Sequence, residues 1–190
     1  QIISLFTNHG ILTNHTNSQV RFSHCLFATF LAGRAFAEDG AITALVGQTD
    51  WYGKWLTLGF AGCYADLSEF INLQLTKTQE DILAGDLFDI ARWLSISQRQ
   101  VPWRANLLRA LAALAHHESL TLGLAARAMC AIGLAGEPSV GILFRQWLRA
   151  DQPNLRLLGA LGFGLTTDTK AVQELVTLMR DLDPKVGKAA

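Results

Sequence analysis

A glycine–lysine loop and a pair of adjacent histidines are the residues here whose types and spacing come nearest to known chemistry. The segment from Gly47 to Lys54 has the composition of a phosphate-binding loop. It has one residue too many between its glycines, and Trp55 stands where magnesium binding needs Ser or Thr. We therefore expect a loop leading into a core helix. Adjacent helical residues point about 100° apart, so His116-His117 does not chelate a metal as an i,i+4 pair does.

No other set of residues makes a catalytic or metal-binding arrangement. The Gly-x-Ser-x-Gly pattern is absent, and no Ser, His and Asp residues are spaced as a recognisable triad. His9, His15 and His24 lack carboxylate or thiolate partners at ligand spacing. We expect no catalytic residue and no metal site. For His24, which stands between a short strand and a helix, the spacing alone indicates a hydrogen bond to the backbone.

Composition narrows the class of protein. Half of the residues are hydrophobic, 17% are charged, and the mean hydropathy is positive, yet charges interrupt every apolar run before the ~20 residues that a membrane span needs. The 16 basic and 16 acidic residues balance, which disfavours nucleic acid as a partner. Three widely spaced cysteines in apolar surroundings predict reduced, buried thiols in a cytoplasmic protein. The chain begins at Gln1 and stops where a helix pattern starts, so we expect a piece of a larger protein.

These residues must be positioned by helices, with strands only near the start. Ile2 to Phe6 predict a short helix that ends at Gly10, and Gly10 suits the position after a helix. Short strands are predicted at 11–13 and 20–22, with a polar turn at 14–18, and a helix with one apolar face follows from Leu26. Further helices are predicted at 41–47, 51–65, 67–75, 79–95, 103–115, 119–135, 139–150, 153–165, 169–181 and from 184.

The second half of the chain repeats itself. The segment 153–160 is echoed at 184–190, a step of 31 between Pro153 and Pro184, and 121–128 is a looser copy. Each copy follows an apolar helix, so the unit is a helix pair, and periods of this length indicate a solenoid. Asp151 and Asp183 are predicted N-caps, and Gly136 a helix stop. Small residues are predicted to let helices of successive repeats approach closely: Ala125, Ala126, Ala128, Gly159, Ala160 and Gly162.

Over about residues 101–190 the chain resembles short bacterial HEAT-like repeats, whose second helix opens with Asp-Pro-x-Val/Leu-Arg. The segment Asp183-Pro-Lys-Val186 matches, and Gln152-Pro-Asn-Leu-Arg156 matches without an Asp directly before the proline. We therefore predict an all-α fold: an α-solenoid of HEAT-like helix hairpins, preceded by a small winged-helix-type α/β hairpin element.

The segment from Arg21 to Arg34 resembles the winged-helix signature of NACHT-type NTPases of the STAND class. Phe22, His24, Phe27, Phe30, Ala32 and Gly33 match the family pattern in register, whereas its Gln-Glu pair is replaced by Ala28-Thr29. The resemblance covers about residues 1–38. It implies that His24 contacts the diphosphate of ADP in the intact protein, with magnesium and ATP or ADP held by a nucleotide domain in cis. This chain lacks a Walker A motif, so we expect no cofactor in it.

Together these patterns predict three domains: the C-terminal part of a winged helix at 1–38, a helical linker at 39–100, and HEAT-like repeats at 101–190, the last one truncated. The expected function is a non-catalytic sensor and autoinhibitory region that binds a protein partner or sensed ligand. The alternatives are a stand-alone HEAT-repeat scaffold, or a HEAT-fold enzyme of the DNA-glycosylase or bilin-lyase type. The near-zero net charge argues against the glycosylase.

Tryptophans supply the expected partner contact. Trp51 and Trp55, at i,i+4, are predicted to anchor one helix. Trp103 stands at a predicted helix start beside Arg104, which makes it the best candidate for an exposed aromatic side chain. Exposed tryptophan and arginine side chains are common anchors at protein interfaces. Trp103 and Arg104 are therefore the predicted contact residues.

Overall fold

The computed structural model describes residues 2–16, 19–77, 81, 83–117, 121–166, 168 and 171–190. Across these ranges the chain is mostly helical, with one two-stranded antiparallel sheet. The all-α class is therefore confirmed at this level. No helix in these ranges is both long and apolar enough to cross a membrane.

The chain forms two compact units. The N-terminal unit comprises residues 1–67 with 96–98, and the C-terminal unit comprises 68–95 with 99–190. The predicted division at 1–38, 39–100 and 101–190 stays a prediction, and each unit is described by itself below.

The elements of the N-terminal unit follow the predicted order closely. They are α1 (Ile2–Asn8), β1 (Leu12–Asn14), β2 (Val20–Phe22), α2 (Cys25–Glu38), α3 (Ile42–Val46) and α4 (Lys54–Ala61). Gly10 follows α1 with φ +70°, a left-handed conformation that favours glycine. The helix–hairpin–helix order expected from the sequence is confirmed. Trp51 lies before α4 rather than in it, so the idea that Trp51 and Trp55 anchor one helix was wrong.

The hairpin is short and is held by both backbone and side-chain bonds. β1 and β2 pair antiparallel, with Leu12 opposite Phe22. The hydroxyl of Ser23, directly after β2, donates to the carbonyl oxygens of Gly10 (2.5 Å) and Ile11 (3.1 Å). These bonds connect the residues just before β1 to the residue just after β2, next to the start of α2.

Helix α2 crosses α4 at backbone contact distance. A Cβ atom added to Gly33 would lie 2.5 Å from the carbonyl oxygen of Thr57 and 2.9 Å from the amide nitrogen of Ala61. The ring of Phe30 packs edge-on against Phe60, with centroids 5.4 Å apart. Gly33 is therefore a structural requirement of this crossing.

The C-terminal unit is a succession of helices. They are α5 (Ser68–Lys77), α6 (Gly85–Ala91), a 3₁₀ helix (Arg92–Ser95), α7 (Trp103–His116), α8 (Leu122–Leu134), α9 (Val140–Leu148), α10 (Pro153–Phe163), α11 (Val172–Leu178) and α12 (Pro184–Ala189). Gly136, with φ +67° just after α8, agrees with the predicted helix stop. Pro153 and Pro184 each stand in the first turn of a helix. The start of the helix predicted at 119 lies outside the described residues.

In this unit, helices pack against their neighbours in sequence, and some also pack against the next helix but one. α7 packs on α8 and α9 on α10, while α8 also contacts α6, the 3₁₀ helix and α10, and α10 contacts α12. A Cβ atom on Gly162 would lie 2.7 Å from the ring of Phe144, and one on Gly159 would lie 3.0 Å from the backbone of α9. These glycines therefore close the α9–α10 pair itself, not the contact between successive repeats that we expected.

Of three expected helix details, two differ from the structure and one agrees with it. The helix predicted from residue 79 begins at Gly85, since the carboxylate of Asp81 accepts the backbone N–H groups of Leu83 and Gly85 and the chain turns there. Asp183 caps α12 by accepting the N–H of Lys185 at 2.8 Å, as predicted. Asp151 is not the cap of α10, because Gln152 occupies that position.

We predict that Gly162→Ala destabilises the C-terminal unit by about 1–2 kcal/mol. Overpacking costs about 1–3 kcal/mol, partly offset by the better helix propensity of alanine, about 1 kcal/mol. The control is Gly123→Ala in α8, where an added Cβ meets only the Thr121 hydroxyl at 3.9 Å. Urea unfolding should show lower stability for the first variant and equal or higher stability for the second. Equal behaviour of the two would contradict the close contact with Phe144.

Candidate functional site

His24 is the N-cap of α2. Its backbone is extended (φ −141°, ψ 141°), and its Nδ1 accepts the backbone N–H of Leu26 at 3.1 Å. This bond satisfies one of the N–H groups that have no partner at a helix start. The backbone hydrogen bond expected from the spacing is confirmed.

The cap also determines which nitrogen of the imidazole ring carries the hydrogen that it can donate. Because Nδ1 acts as an acceptor, the neutral ring carries its hydrogen on Nε2. The His24 side chain is exposed, so this N–H can reach a hydrogen-bond acceptor outside the chain. The geometry allows one further bond, to an anionic oxygen among other groups.

The other residues that match the family pattern divide by burial. Gly33 is buried at the α2–α4 crossing, whereas Phe22 and Phe27 are 37% and 41% exposed. Thr29, which replaces the acidic residue of the pattern, is buried, and its methyl group lies against Gly53. A glutamate at Thr29 would bring a carboxylate into this packed site.

The glycine–lysine loop closes on itself. Gly53 has φ +96°, and Lys54, which is buried, donates from Nζ to the carbonyl oxygens of Val46 (3.1 Å) and Gln48. Its ammonium group thus binds carbonyl oxygens at the end of α3 and in the loop. The expected loop leading into a core helix is confirmed, and sequence reasoning missed that this lysine is buried.

The expected contact pair, Trp103 and Arg104, is inside the fold. Trp103 is 0% exposed and packs edge-on against Trp93 with centroids 6.4 Å apart, and Arg104 is 3% exposed. The expectation of an exposed tryptophan here was wrong. The helix start was predicted correctly, but the first turn of α7 faces the core.

Arg104 instead bonds three groups in two segments, the 3₁₀ helix and the turn after α8. It donates from Nε to Glu137 Oε1 (2.7 Å), from Nη1 to the carbonyl oxygen of Leu94 (2.6 Å) and from Nη2 to that of Ala135 (2.8 Å). The planar guanidinium group suits several bonds of fixed geometry. α7 is thereby tied to the 3₁₀ helix and to the end of α8.

Polar side-chain contacts recur at about one repeat length. The Asn106 amide donates to Asn72 Oδ1, 34 residues away, Trp147 Nε1 donates to His116 Nε2 (2.7 Å), 31 residues away, and Arg145 pairs with Glu174, 29 residues away. These bonds join α5 to α7, α7 to α9 and α9 to α11. Each first helix of a pair is thus bonded to the first helix of the next.

Arg156, from the repeat-like motif, makes an ion pair that shifts two pKa values. Its Nε and Nη2 donate to the two carboxylate oxygens of Asp181 at 2.8 and 2.9 Å. This hydrogen-bonded pairing lowers the pKa of Asp181, helped by the backbone N–H of Asp183, and raises the pKa of Arg156. Arg156 also donates to the carbonyl oxygens of Ala150 and Asp151, so it fixes the turn before its own helix.

The cysteines are free thiols, but they are not all buried. Cys25 and Cys130 are exposed, contrary to expectation, and Cys63 is half-buried, with its thiol pKa raised by burial. Within the described ranges, no three His, Cys, Asp or Glu side chains are grouped as metal ligands. The zinc and catalytic roles considered for the histidines gain no support.

An apolar groove of about 500 Å³ is the feature that sequence reasoning missed. It runs between α8 and the stretch formed by α6 and the 3₁₀ helix. The available signal was the spacing of Gly123, Ala126 and Cys130, small residues on one stripe of α8. Comparison of the chain with protein-family models, curated proteins and solved structures finds no match.

We predict that Arg104→Met lowers the free energy of unfolding by about 3–5 kcal/mol, because it leaves Glu137 and two carbonyl groups without their partner. Arg149→Met is the matched control. Arg149 also pairs with a glutamate, Glu174, but is 76% exposed, and such pairs are worth about 1 kcal/mol or less. Urea denaturation compares the two. Similar losses in both variants would show that Arg104 is not the stronger tie.

Asp181 predicts an acid-dependent loss of stability. Since its folded pKa is lowered, its contribution is present above the ordinary aspartate pKa of about 3.9 and is lost as the pH falls through the lower folded value. We expect Asp181→Asn to be less stable at neutral pH and to lose less stability on acidification. Thermal melts over this range test it, with the exposed Asp86→Asn as control. Parallel curves for Asp181→Asn and the unsubstituted chain would contradict the prediction.

Proposed function

We propose that this chain is the regulatory and sensing part of a signalling NTPase of the NACHT type. In this proposal it performs no chemistry itself; it binds a partner and controls a nucleotide domain in cis, in the cytoplasm. ATP or ADP with magnesium would be held by that domain. The observation that carries the proposal is a helix–hairpin–helix element with His24 at its corner, followed by successive bonded helix pairs.

The geometry of His24 supports the nucleotide contact. With Nδ1 engaged by Leu26, the Nε2–H of this exposed side chain can donate to an acceptor other than the cap. A donor beside a diphosphate oxygen forms a strong, charge-assisted bond. Such a bond to ADP would hold the winged-helix element against the nucleotide domain, and nucleotide exchange would release it.

The helix pairs support a solenoid of HEAT-like repeats. Side-chain bonds join α5, α7, α9 and α11 in sequence at separations of 29–34 residues, and α6, α8, α10 and α12 are joined by packing. Two parallel series of this kind are what a stack of helix hairpins produces. In the proposal the array begins near Ser68, earlier than the sequence repeat at 101.

A stand-alone HEAT-repeat scaffold is the second candidate. The C-terminal unit supports it because the bonds that join its helices lie within that unit. The coding sequence ahead of Gln1 separates the two candidates. A Walker A motif there supports the NTPase, and its absence from the whole protein would eliminate it.

Substitution of His24 separates a cap from a nucleotide contact. His24→Ala should lose about 1 kcal/mol of stability through the missing cap, whereas His24→Asn keeps a capping oxygen and should fold normally. In the intact protein we expect both variants to bind ADP more weakly, because neither retains the Nε2 donor. Calorimetric ADP titration measures this. Unchanged ADP affinity in the stable His24→Asn variant would reduce His24 to a helix cap.

A further inference from the structure

The groove beside α8 has two walls held at a fixed spacing. One wall is α6 with the 3₁₀ helix, including Phe88 and Leu94, and the other is α8. Arg104 bonds the carbonyl oxygen of Leu94 in the first wall and that of Ala135, directly after α8, in the second. The groove is therefore preformed, and ligand binding carries no free-energy cost for opening it.

The floor along α8 is lined by small side chains. Gly123, Ala126 and Cys130 follow one another at helical spacing over about 10 Å, and Leu134 continues the line. On two other helices a glycine lies against a neighbouring helix: Gly33 against α4, and Gly162 against α9. The stripe on α8 is likewise made of small residues. A Cβ atom added to Gly123, however, would meet only the Thr121 hydroxyl, at 3.9 Å.

The two charged side chains that line the groove are Arg92 and Arg127, and the described lining contains no carboxylate. Asp89, which is not a lining residue, forms an ion pair with Arg92 at 3.4 Å. Arg127 lies over the ring of Phe88, 4.0 Å from guanidinium carbon to ring centroid, and Arg92 is 80% exposed beside Asp89. An apolar floor flanked by two guanidinium groups is complementary to an occupant with an apolar face and acidic edges.

We propose that this groove binds an acidic amphipathic α-helix of a protein partner. The apolar side chains of that helix, at i, i+4 and i+7, lie along the small-residue stripe, and its carboxylates pair with Arg92 and Arg127. A helix fits because the groove is long, open on one side and floored by a small-residue stripe. This inference rests on the proposed partner-binding role and names its surface and its ligand.

The test uses the 190-residue chain and two designed helical peptides of about 18 residues, labelled for fluorescence anisotropy. Both carry the same leucine stripe, flanked by glutamates in one peptide and by lysines in the other. We expect the acidic peptide to bind at least about tenfold more tightly. Arg92→Glu and Arg127→Glu should each weaken the acidic peptide by about tenfold, and Cys130→Trp, which fills the groove, should abolish binding. Arg180→Glu, an exposed arginine on the same unit, should have no effect.

Thiol alkylation locates the peptide independently. Saturating acidic peptide should slow alkylation of Cys130 and leave that of Cys25, exposed in the other unit, unchanged. Equal affinity for the two peptides, or binding that survives Cys130→Trp, would overturn the proposal. Protection of Cys130 by laurate but not by the peptide would overturn it too and indicate a small-molecule site.

These outcomes are separable from failure of the proposed function. In the intact protein, removal of residues 101–190 should change the ATPase rate if the array is autoinhibitory. An altered rate with no peptide binding at the groove would refute the groove proposal alone, whereas an unchanged rate would refute the autoinhibitory role.

Discussion

The buried guanidinium group of Arg104 is the interaction on which the C-terminal unit most depends. It lies at 3% exposure and bonds Glu137 and the carbonyl groups of Leu94 and Ala135. Those groups belong to two segments that are separated in sequence, so one side chain fixes the start of α7 against both walls of the groove. A charge at this depth is tolerated only because all of these partners are present.

In the N-terminal unit the equivalent constraint is steric. Gly33 lets α2 approach the backbone of α4 to a distance that any side chain would prevent. Four residues earlier on the same helix, Thr29 is buried against Gly53, which leaves no room for a longer acidic side chain. Gly33 and Thr29 therefore belong to one packing arrangement. That arrangement places His24 at an exposed corner, with its Nδ1 already occupied by the helix cap.

Much of the secondary structure could be predicted because it depends on residues that are close together in sequence. Gly10 and Gly136 stop helices, prolines begin them, and Asp183 caps α12. Two errors have local causes: the Asp81 carboxylate binds the backbone ahead of α6, and α10 begins at Pro153, which leaves Gln152 and not Asp151 in the cap position. The site was harder to predict. A helix start at Trp103 is visible in the sequence, but the side of α7 that faces the core depends on neighbours far along the chain, so Trp103 and Arg104 were assigned to the surface in error.

By itself, then, the sequence determined the helical class, the positions of most elements, the hairpin with His24 at its corner and the repeat step of 31 residues. These follow from periodicity, caps and turns, which act within a few residues. Only the tertiary structure decided that Arg104 is buried, that Lys54 closes its own loop, and that α8 and α6 leave an open, arginine-lined groove. Burial and charge environment depend on which elements meet in space: Arg104 bonds residues up to 33 positions away, and Lys54 bonds carbonyl groups beyond its own helix. The local sequence pattern does not encode those contacts.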